Sequence, residues 1–104
     1  MEYGLGKEAQ VDYQCLSKKF RVLGNPVRIE ILTLLAQGPL CVSDLIRCTS
    51  HRQAYVSQQL MFLRSRGWVE SQKEGWNVCY RLVDTSETRW LRRLIEEVRP
   101  KIET

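Results

Sequence analysis

Long apolar runs are missing from this chain of 104 residues: no stretch reaches the roughly 18 apolar residues that a membrane-spanning helix needs. The first eight residues carry two acids and no apolar segment, so we expect no secretory signal and a cytoplasmic protein. In that reducing compartment the four cysteines are expected to be thiols, metal ligands or redox sensors rather than structural disulfides. The sequence also lacks a Ser–His–acid set, a glycine-rich phosphate loop and paired catalytic carboxylates, which argues against an enzyme.

Acidic residues are scarce in the middle of the chain and absent between Arg52 and Arg66. Residues 45–82 contain six basic and two acidic side chains, which accounts for the whole formal net charge of +4. A concentrated basic surface attracts phosphate backbones and releases their counterions on contact. The charge distribution therefore favours a nucleic-acid partner, with a solvated face that binds nothing as the alternative.

Apolar residues recur at three- and four-residue spacing near both ends of the chain, which predicts helices over about 8–23 and 86–99. Between them, Asn25 can cap the next helix, and Pro26 suits its first position because no backbone N–H is needed there. That helix is apolar around much of its circumference, so we expect it to be the buried centre of the fold.

The apolar period changes at Gly67, from about 3.6 residues before it to about 2 after it. The pattern predicts four elements: helices over 42–48 and 52–65, and strands over 68–73 and 78–83. Ser50 and Gln53 have the spacing of a capping box for the second helix, and Glu74–Asn77 is expected as the hairpin turn. This order of elements is that of a winged helix-turn-helix, a mainly α fold with a small β-hairpin, built as a single domain over residues 1–104.

In a winged helix-turn-helix the second helix of the pair enters the major groove of DNA, and the basic segment coincides with that helix and the hairpin. Glutamine can pair with adenine, arginine with guanine, and serine or tyrosine hydroxyls can bind phosphates or bases. The predicted DNA-binding residues are Arg52, Gln53, Tyr55, Ser57, Gln58 and Gln59 on the helix, with Lys73, Trp76 and Asn77 at the hairpin. The alternatives are an amide surface that only faces solvent and a tryptophan that packs on its own strands.

Several stretches match one known family in order and spacing: Leu23–Leu32, Pro39–Leu45, Tyr55–Leu60, Leu63–Val69 and Val78–Leu82. They resemble the ArsR/SmtB family of winged-helix repressors. The resemblance implies a homodimeric transcriptional repressor that dimerises through its first and last helices and is released from operator DNA by an effector. It also implies that Gln53, Ser57 and Gln58 lie at base-contacting positions.

The two terminal helices carry apolar stripes larger than one short chain easily covers: Tyr13, Leu16 and Phe20 on the first, and Trp90, Leu94 and Val98 on the last. A two-fold dimer would present two recognition helices to half-sites about one helical turn apart, so the expected partner is double-stranded DNA with an imperfect palindrome. The alternative function is a winged-helix module that docks proteins without touching DNA, and its duplex affinity would not fall steeply with salt.

The metal sites of the resembled family are only partly matched. The arsenic-type site uses a Cys-x-Cys pair and a third thiol three residues further on, but here Cys41 is followed by Ser43 and Ile46. The zinc-type site on the last helix needs acidic and histidine ligands, and residues 85–104 contain no His and no Cys. The single histidine, His51, lies in the turn of the helix-turn-helix and is expected to cap a helix or face a phosphate.

Cysteines distant in sequence leave three interpretations open, and none makes a cofactor certain. Arsenite or another thiophilic metal ion could be held by Cys15 with Cys41 or Cys48, or the same thiols could form a dithiol redox or persulfide switch. Alternatively, all four cysteines act as small apolar residues. Cys79, on a hairpin strand, is expected to be the most exposed of the four and to have no partner.

Overall fold

The structure, a computed structural model, describes residues 11–99 as five helices and a three-stranded antiparallel sheet. In chain order the elements are α1 (Tyr13–Val22), α2 (Pro26–Leu35), β1 (Leu40–Cys41), α3 (Val42–Thr49), α4 (Gln53–Ser65), β2 (Val69–Glu74), β3 (Asn77–Leu82) and α5 (Ser86–Val98). This is the predicted winged helix-turn-helix, with α3 and α4 as the helix pair and β2–β3 as the wing. The predicted helix start near residue 8 lies outside the described residues. Within the described range, no helix is both long enough and apolar enough to cross a membrane.

The buried centre of the fold is α2, as the sequence predicts. Asn25 caps this helix: its Oδ1 accepts hydrogen bonds from the backbone N–H groups of Val27 (2.8 Å) and Arg28 (3.2 Å). Ile31 and Leu32 are fully buried. They belong to a single core cluster with residues of α3, α4, β2 and α5, among them Leu45, Leu60, Leu63, Val69 and Leu91. One core therefore positions the helix-turn-helix, the base of the wing and the last helix.

The turn of the wing lies where the sequence predicts it. The α-carbons of Glu74 and Asn77 are register partners and close a four-residue turn, with Gly75 and Trp76 as its two central residues. Gly75 has a φ of 62°, the left-handed conformation that a two-residue hairpin turn requires and that glycine adopts without penalty.

A third strand, β1, was not predicted. It pairs antiparallel with β3, with Leu40 opposite Tyr80 and Cys41 opposite Cys79. No loop separates β1 from α3, because Cys41 is both the last strand residue and the N-cap of the helix. Two residues are too few to show the alternation by which strands are recognised in sequence.

Candidate nucleic-acid interface

A three-residue turn of residues 50–52 joins α3 to α4. Ser50 ends α3 in the left-handed conformation, with a φ of 59°, and its N–H donates to the carbonyl of Ile46 at 3.0 Å. Arg52 is extended and is the N-cap of α4, with no side-chain cap hydrogen bond. The predicted capping box of Ser50 and Gln53 is therefore wrong, because Ser50 closes the first helix and does not open the second.

The two sides of α4 have opposite surroundings. Val56, Leu60 and Leu63 are fully buried and hold the helix against the core. The other side carries most of the predicted amide-rich surface: Arg52, Gln53 and Gln58 are exposed, and Ser57 is half-buried. The helix therefore presents these polar groups on a fixed support.

Gln59 does not belong to that surface, so its predicted place on the exposed side is wrong. The residue is 8% exposed, and its Oε1 accepts a hydrogen bond from Nε of Arg28 at 2.8 Å. The same guanidinium lies over the ring of Phe62, with Cζ 3.9 Å from the centroid. Gln59 thus joins α4 to α2. The helical spacing contained the signal, since residue 59 follows Val56 by three and precedes Leu63 by four.

Tyr55 is half-buried and attached to the start of α2. Its hydroxyl accepts a hydrogen bond from Nδ2 of Asn25 at 3.3 Å. The ring of the exposed His51 lies 5.4 Å from the Tyr55 ring, centroid to centroid. His51 caps neither helix, because the caps are Ser50 and Arg52.

The tip of the wing projects from the protein. Trp76 is 98% exposed, so it does not pack on its own strands, and Lys73 and Asn77 are exposed as well. A cleft of about 490 Å³ lies between the wing and the helices α3 and α4. Four of the predicted DNA-binding residues line this cleft together: Gln53, Ser57, Trp76 and Asn77.

Half of the six bases in residues 45–82 contact other side chains of the same chain at its surface. They make these contacts: Arg47 pairs with Asp44 at 2.9 Å, Arg81 pairs with Glu70, and Arg66 lies over the Phe62 ring with Cζ 4.5 Å from the centroid. Within residues 11–99, Arg52, Arg64 and Lys73 form no ion pair. These three side chains are the free cations of α4 and the wing.

A disulfide joins Cys41 to Cys79 between β1 and β3, where the two α-carbons are 3.7 Å apart. The expectation that Cys79 is exposed and has no partner is wrong, because the unpredicted strand β1 places Cys41 opposite it. The expectation that the cysteines form no disulfide is also wrong for this pair. Cys15 and Cys48 are free thiols and both are exposed. Among residues 11–99, no three His, Cys, Asp or Glu side chains converge to hold a metal ion.

The apolar stripes of α1 and α5 stay uncovered in the single chain. Phe20 and Trp90 touch edge to face, with ring centroids 6.4 Å apart. A cavity of about 240 Å³ opens beside them. The exposed apolar residues of the two helices include all six of the predicted stripes: Tyr13, Leu16, Phe20, Trp90, Leu94 and Val98.

One ion pair connects the two terminal helices. Nζ of Lys19 donates to Oε1 of Glu87 at 2.6 Å. This hydrogen bond lowers the pKa of Glu87 from 4.5 to about 2 and raises the pKa of Lys19.

A family model for bacterial regulatory proteins of the arsR family matches residues 25–71, from the cap of α2 into β2. The HTH-type transcriptional regulator NmtR of Mycobacterium tuberculosis is 39% identical over 70 residues, which are 67% of this chain and only 58% of that protein. The arsenical resistance operon repressor of Escherichia coli is 34% identical over 79 residues, which are 75% of this chain and 67% of that protein. The chain belongs to the ArsR family.

Solved structures agree with this assignment to the ArsR family. HlyU from Vibrio cholerae superposes with a TM-score of 0.77 at 26% identity, covering 86% of this chain and 98% of that one. A homodimeric winged helix-turn-helix DNA-binding domain from Mycobacterium bovis gives a TM-score of 0.71 at 30% identity, covering 86% of each chain. The fold of α1 to α5 is therefore that of winged-helix regulators.

Proposed function

We propose that this ArsR-family chain is a dimeric transcriptional repressor that reads double-stranded operator DNA with α4 and the wing. The observation that carries the proposal is the cleft shared by Gln53 and Ser57 of α4 and by Trp76 and Asn77 of the wing. Side chains on a helix that is packed against a core are held more precisely than side chains on loops. The acid-free sequence from Arg52 to Arg66 suits a surface that meets a polyanion.

The exposed residues of α4 are the proposed base readers. Gln53 and Gln58 offer amides that fit adenine, and Arg52 offers a guanidinium that fits guanine or a phosphate. Ser57 adds a hydroxyl from the cleft. Tyr55 serves mainly as a positioning residue, since its hydroxyl already accepts a hydrogen bond from Asn25.

The proposed dimer forms through α1 and α5, whose apolar stripes the single chain leaves open. The related M. bovis domain is homodimeric, which supports the same assembly here. A two-fold dimer would place two copies of α4 on half-sites one turn apart and so require an imperfect palindrome. The proposed place of action is the cytoplasm, where a bacterial operator lies.

The proposed effector acts on thiols. The E. coli relative is a repressor of an arsenical resistance operon, and arsenite or another thiophilic ion is one candidate class for this chain. The described residues of one protomer do not fit such an ion, because they supply no three-donor cluster and Cys41 is bonded to Cys79. An oxidant of thiols fits the arrangement of the cysteines better.

A selection experiment tests the DNA-reading function. A pool of duplexes with a random 30-base-pair segment is passed over the purified protein, and the bound fraction is sequenced. We expect enrichment of an imperfect palindrome with half-site centres about 10 base pairs apart, or a multiple of that spacing. Gln58→Ala should change the enriched bases, whereas Gln37→Ala, an exposed amide beyond the end of α2, should not.

A module that only docks proteins would give the opposite outcome. No sequence would be enriched, and duplex affinity would show no steep loss between low and physiological salt. That pair of results would contradict the proposed function.

A further inference from the structure

We propose that Cys41 and Cys79 form a redox-active pair through which small disulfide compounds set the affinity of this protein for DNA. The inference rests on the proposed DNA-reading function and adds a site and a chemical class of effector to it. Its starting point is the bond itself, which connects the wing to the first residue of the helix-turn-helix.

The position of the bond gives it a mechanical role. The β1–β3 ladder contains only two register pairs, Leu40 with Tyr80 and Cys41 with Cys79. Cys79 is two residues from Asn77 and three from Trp76, which form the tip of the wing. Because Cys41 is also the N-cap of α3, the disulfide ties the DNA-facing strand to the helix pair without an intervening loop.

Small molecules can reach the pair from the DNA-facing side. Cys41 lines the same cleft as Gln53, Ser57, Trp76 and Asn77, and both cysteines of the pair are half-buried rather than enclosed. The other two thiols have no such arrangement, since Cys15 and Cys48 are exposed and form no disulfide.

The chemistry is thiol–disulfide exchange. One protein thiolate attacks a low-molecular-weight disulfide, forms a mixed disulfide and releases one small thiolate. The second protein thiolate attacks the protein sulfur of that mixed disulfide and releases the second small thiolate. The protein pair loses two electrons and two protons, and the small disulfide gains them as two thiols. Excess small thiol reverses both steps.

The expected direction follows from pre-organisation. With the bond formed, the wing is held relative to α4 before DNA arrives, so less conformational freedom is lost on binding. With the bond broken, only the short β1–β3 ladder and the core contacts at the base of the wing, such as buried Tyr80 and Val69, restrain it. The oxidised protein should therefore bind duplex DNA more tightly.

The test uses the full chain with Cys15→Ser and Cys48→Ser, so that no other thiol reacts. This protein is equilibrated in buffers of reduced and oxidised glutathione, and the state of the pair is read by alkylation and intact mass. Duplex affinity is measured by fluorescence anisotropy on a duplex selected from the random pool. We expect the dissociation constant of the oxidised form to be at least about fivefold lower, with the effect reversed by reduced glutathione.

The matched control is the same background with Cys41→Ser and Cys79→Ser, whose affinity should not respond to glutathione. Equal affinities of the oxidised and reduced forms, tighter binding by the reduced form, or a pair that never oxidises would each overturn the inference while leaving the DNA-reading function intact. If neither form binds the selected duplex and no sequence is enriched from the pool, the proposed function itself fails, and the inference fails with it.

Discussion

At the residue scale, two adjacent glutamines of α4 have opposite surroundings. Gln58 is exposed, whereas Gln59 is buried and accepts a hydrogen bond from Arg28. Gln59→Ala is expected to lower the free energy of unfolding by about 1–2 kcal/mol, because a charged donor loses its partner. Gln58→Ala should stay within about 0.5 kcal/mol of the wild type. Urea unfolding of both variants measures the difference, and equal losses would contradict the assignment.

Trp76 offers a second prediction at this scale. Its side chain is 98% exposed, so Trp76→Ala should leave thermal stability almost unchanged. If the wing touches DNA, the same change should cost at least about 1 kcal/mol of duplex affinity per protomer, as truncated tryptophans at interfaces often do. Anisotropy titrations of Trp76→Ala and of Trp76→Phe provide the comparison. An Ala variant that binds as well as the wild type would remove the wing from the proposed interface.

The residue scale also marks the limit of what the sequence could reveal. Helical spacing identifies Val56, Leu60 and Leu63 as core residues. The same spacing also places position 59 on the buried side, although glutamine is a polar residue. The partner of Cys79 could not be found in this way. Its position depends on a register between two strands that are 38 residues apart in sequence, and periodicity within either strand says nothing about register.

At the scale of elements, the ion pair between α1 and α5 predicts a dependence of stability on acid. The pKa of Glu87 falls from 4.5 to about 2 in the folded protein. The stabilisation is therefore complete above about pH 4.5 and is lost as the pH falls towards 2. In Glu87→Gln, the free energy of unfolding should depend less on pH over that window than in the wild type. The substitution should lower the free energy of unfolding by less than about 1 kcal/mol at neutral pH, because the pair is partly exposed.

Chemical denaturation at several pH values between 2 and 7 measures this effect. The control is Glu97→Gln, also on α5, whose carboxylate forms no ion pair within the described residues. If the free energy of unfolding falls equally steeply with decreasing pH in Glu87→Gln and in the wild type, the stabilising role of the ion pair is contradicted.

Elements with strong local signals were predictable, and the others were not. The cap at Asn25 and the apolar sequence that follows it identify α2 and its central position correctly. The predicted start of α4 near residue 52 agrees with the structure, but its predicted capping box is wrong, because Ser50 suits the end of a helix in the left-handed conformation as well as it suits a start. Strand β1 is defined only by its pairing with β3, and residues close to it in sequence carry no pattern that predicts this pairing.

At the scale of the whole molecule, assembly is the first property to test. Leu94→Glu with Val98→Glu places two charges on the exposed stripe of α5 and should convert the proposed dimer into monomers. Analytical ultracentrifugation at micromolar concentration reads the outcome. Met61→Glu, at an exposed apolar residue on the cleft between α4 and the wing, should leave the assembly unchanged. A wild type that sediments as a monomer would contradict the dimer.

Salt dependence is the second whole-molecule prediction. Three bases of α4 and the wing, Arg52, Arg64 and Lys73, form neither an ion pair nor a cation–π contact in the described chain, and a dimer doubles them. With about 0.9 counterions released for each phosphate neutralised, a logarithmic plot of affinity against salt should have a slope of about −5. Arg52→Gln should reduce the magnitude of that slope by about 2, and a slope near zero would contradict phosphate contact.

The three tryptophans sit in three different environments, which gives the protein its own set of fluorescent reporters. Trp68 is 6% exposed and belongs to the core, Trp76 is 98% exposed at the turn of the wing, and Trp90 is 40% exposed on the apolar stripe of α5. Variants that keep a single tryptophan would therefore report separately on unfolding, on the proposed contact with an operator and on the proposed subunit association. Fluorescence could then follow each event without a label, with one variant for each event, and the order in which the signals change would give the order of the events.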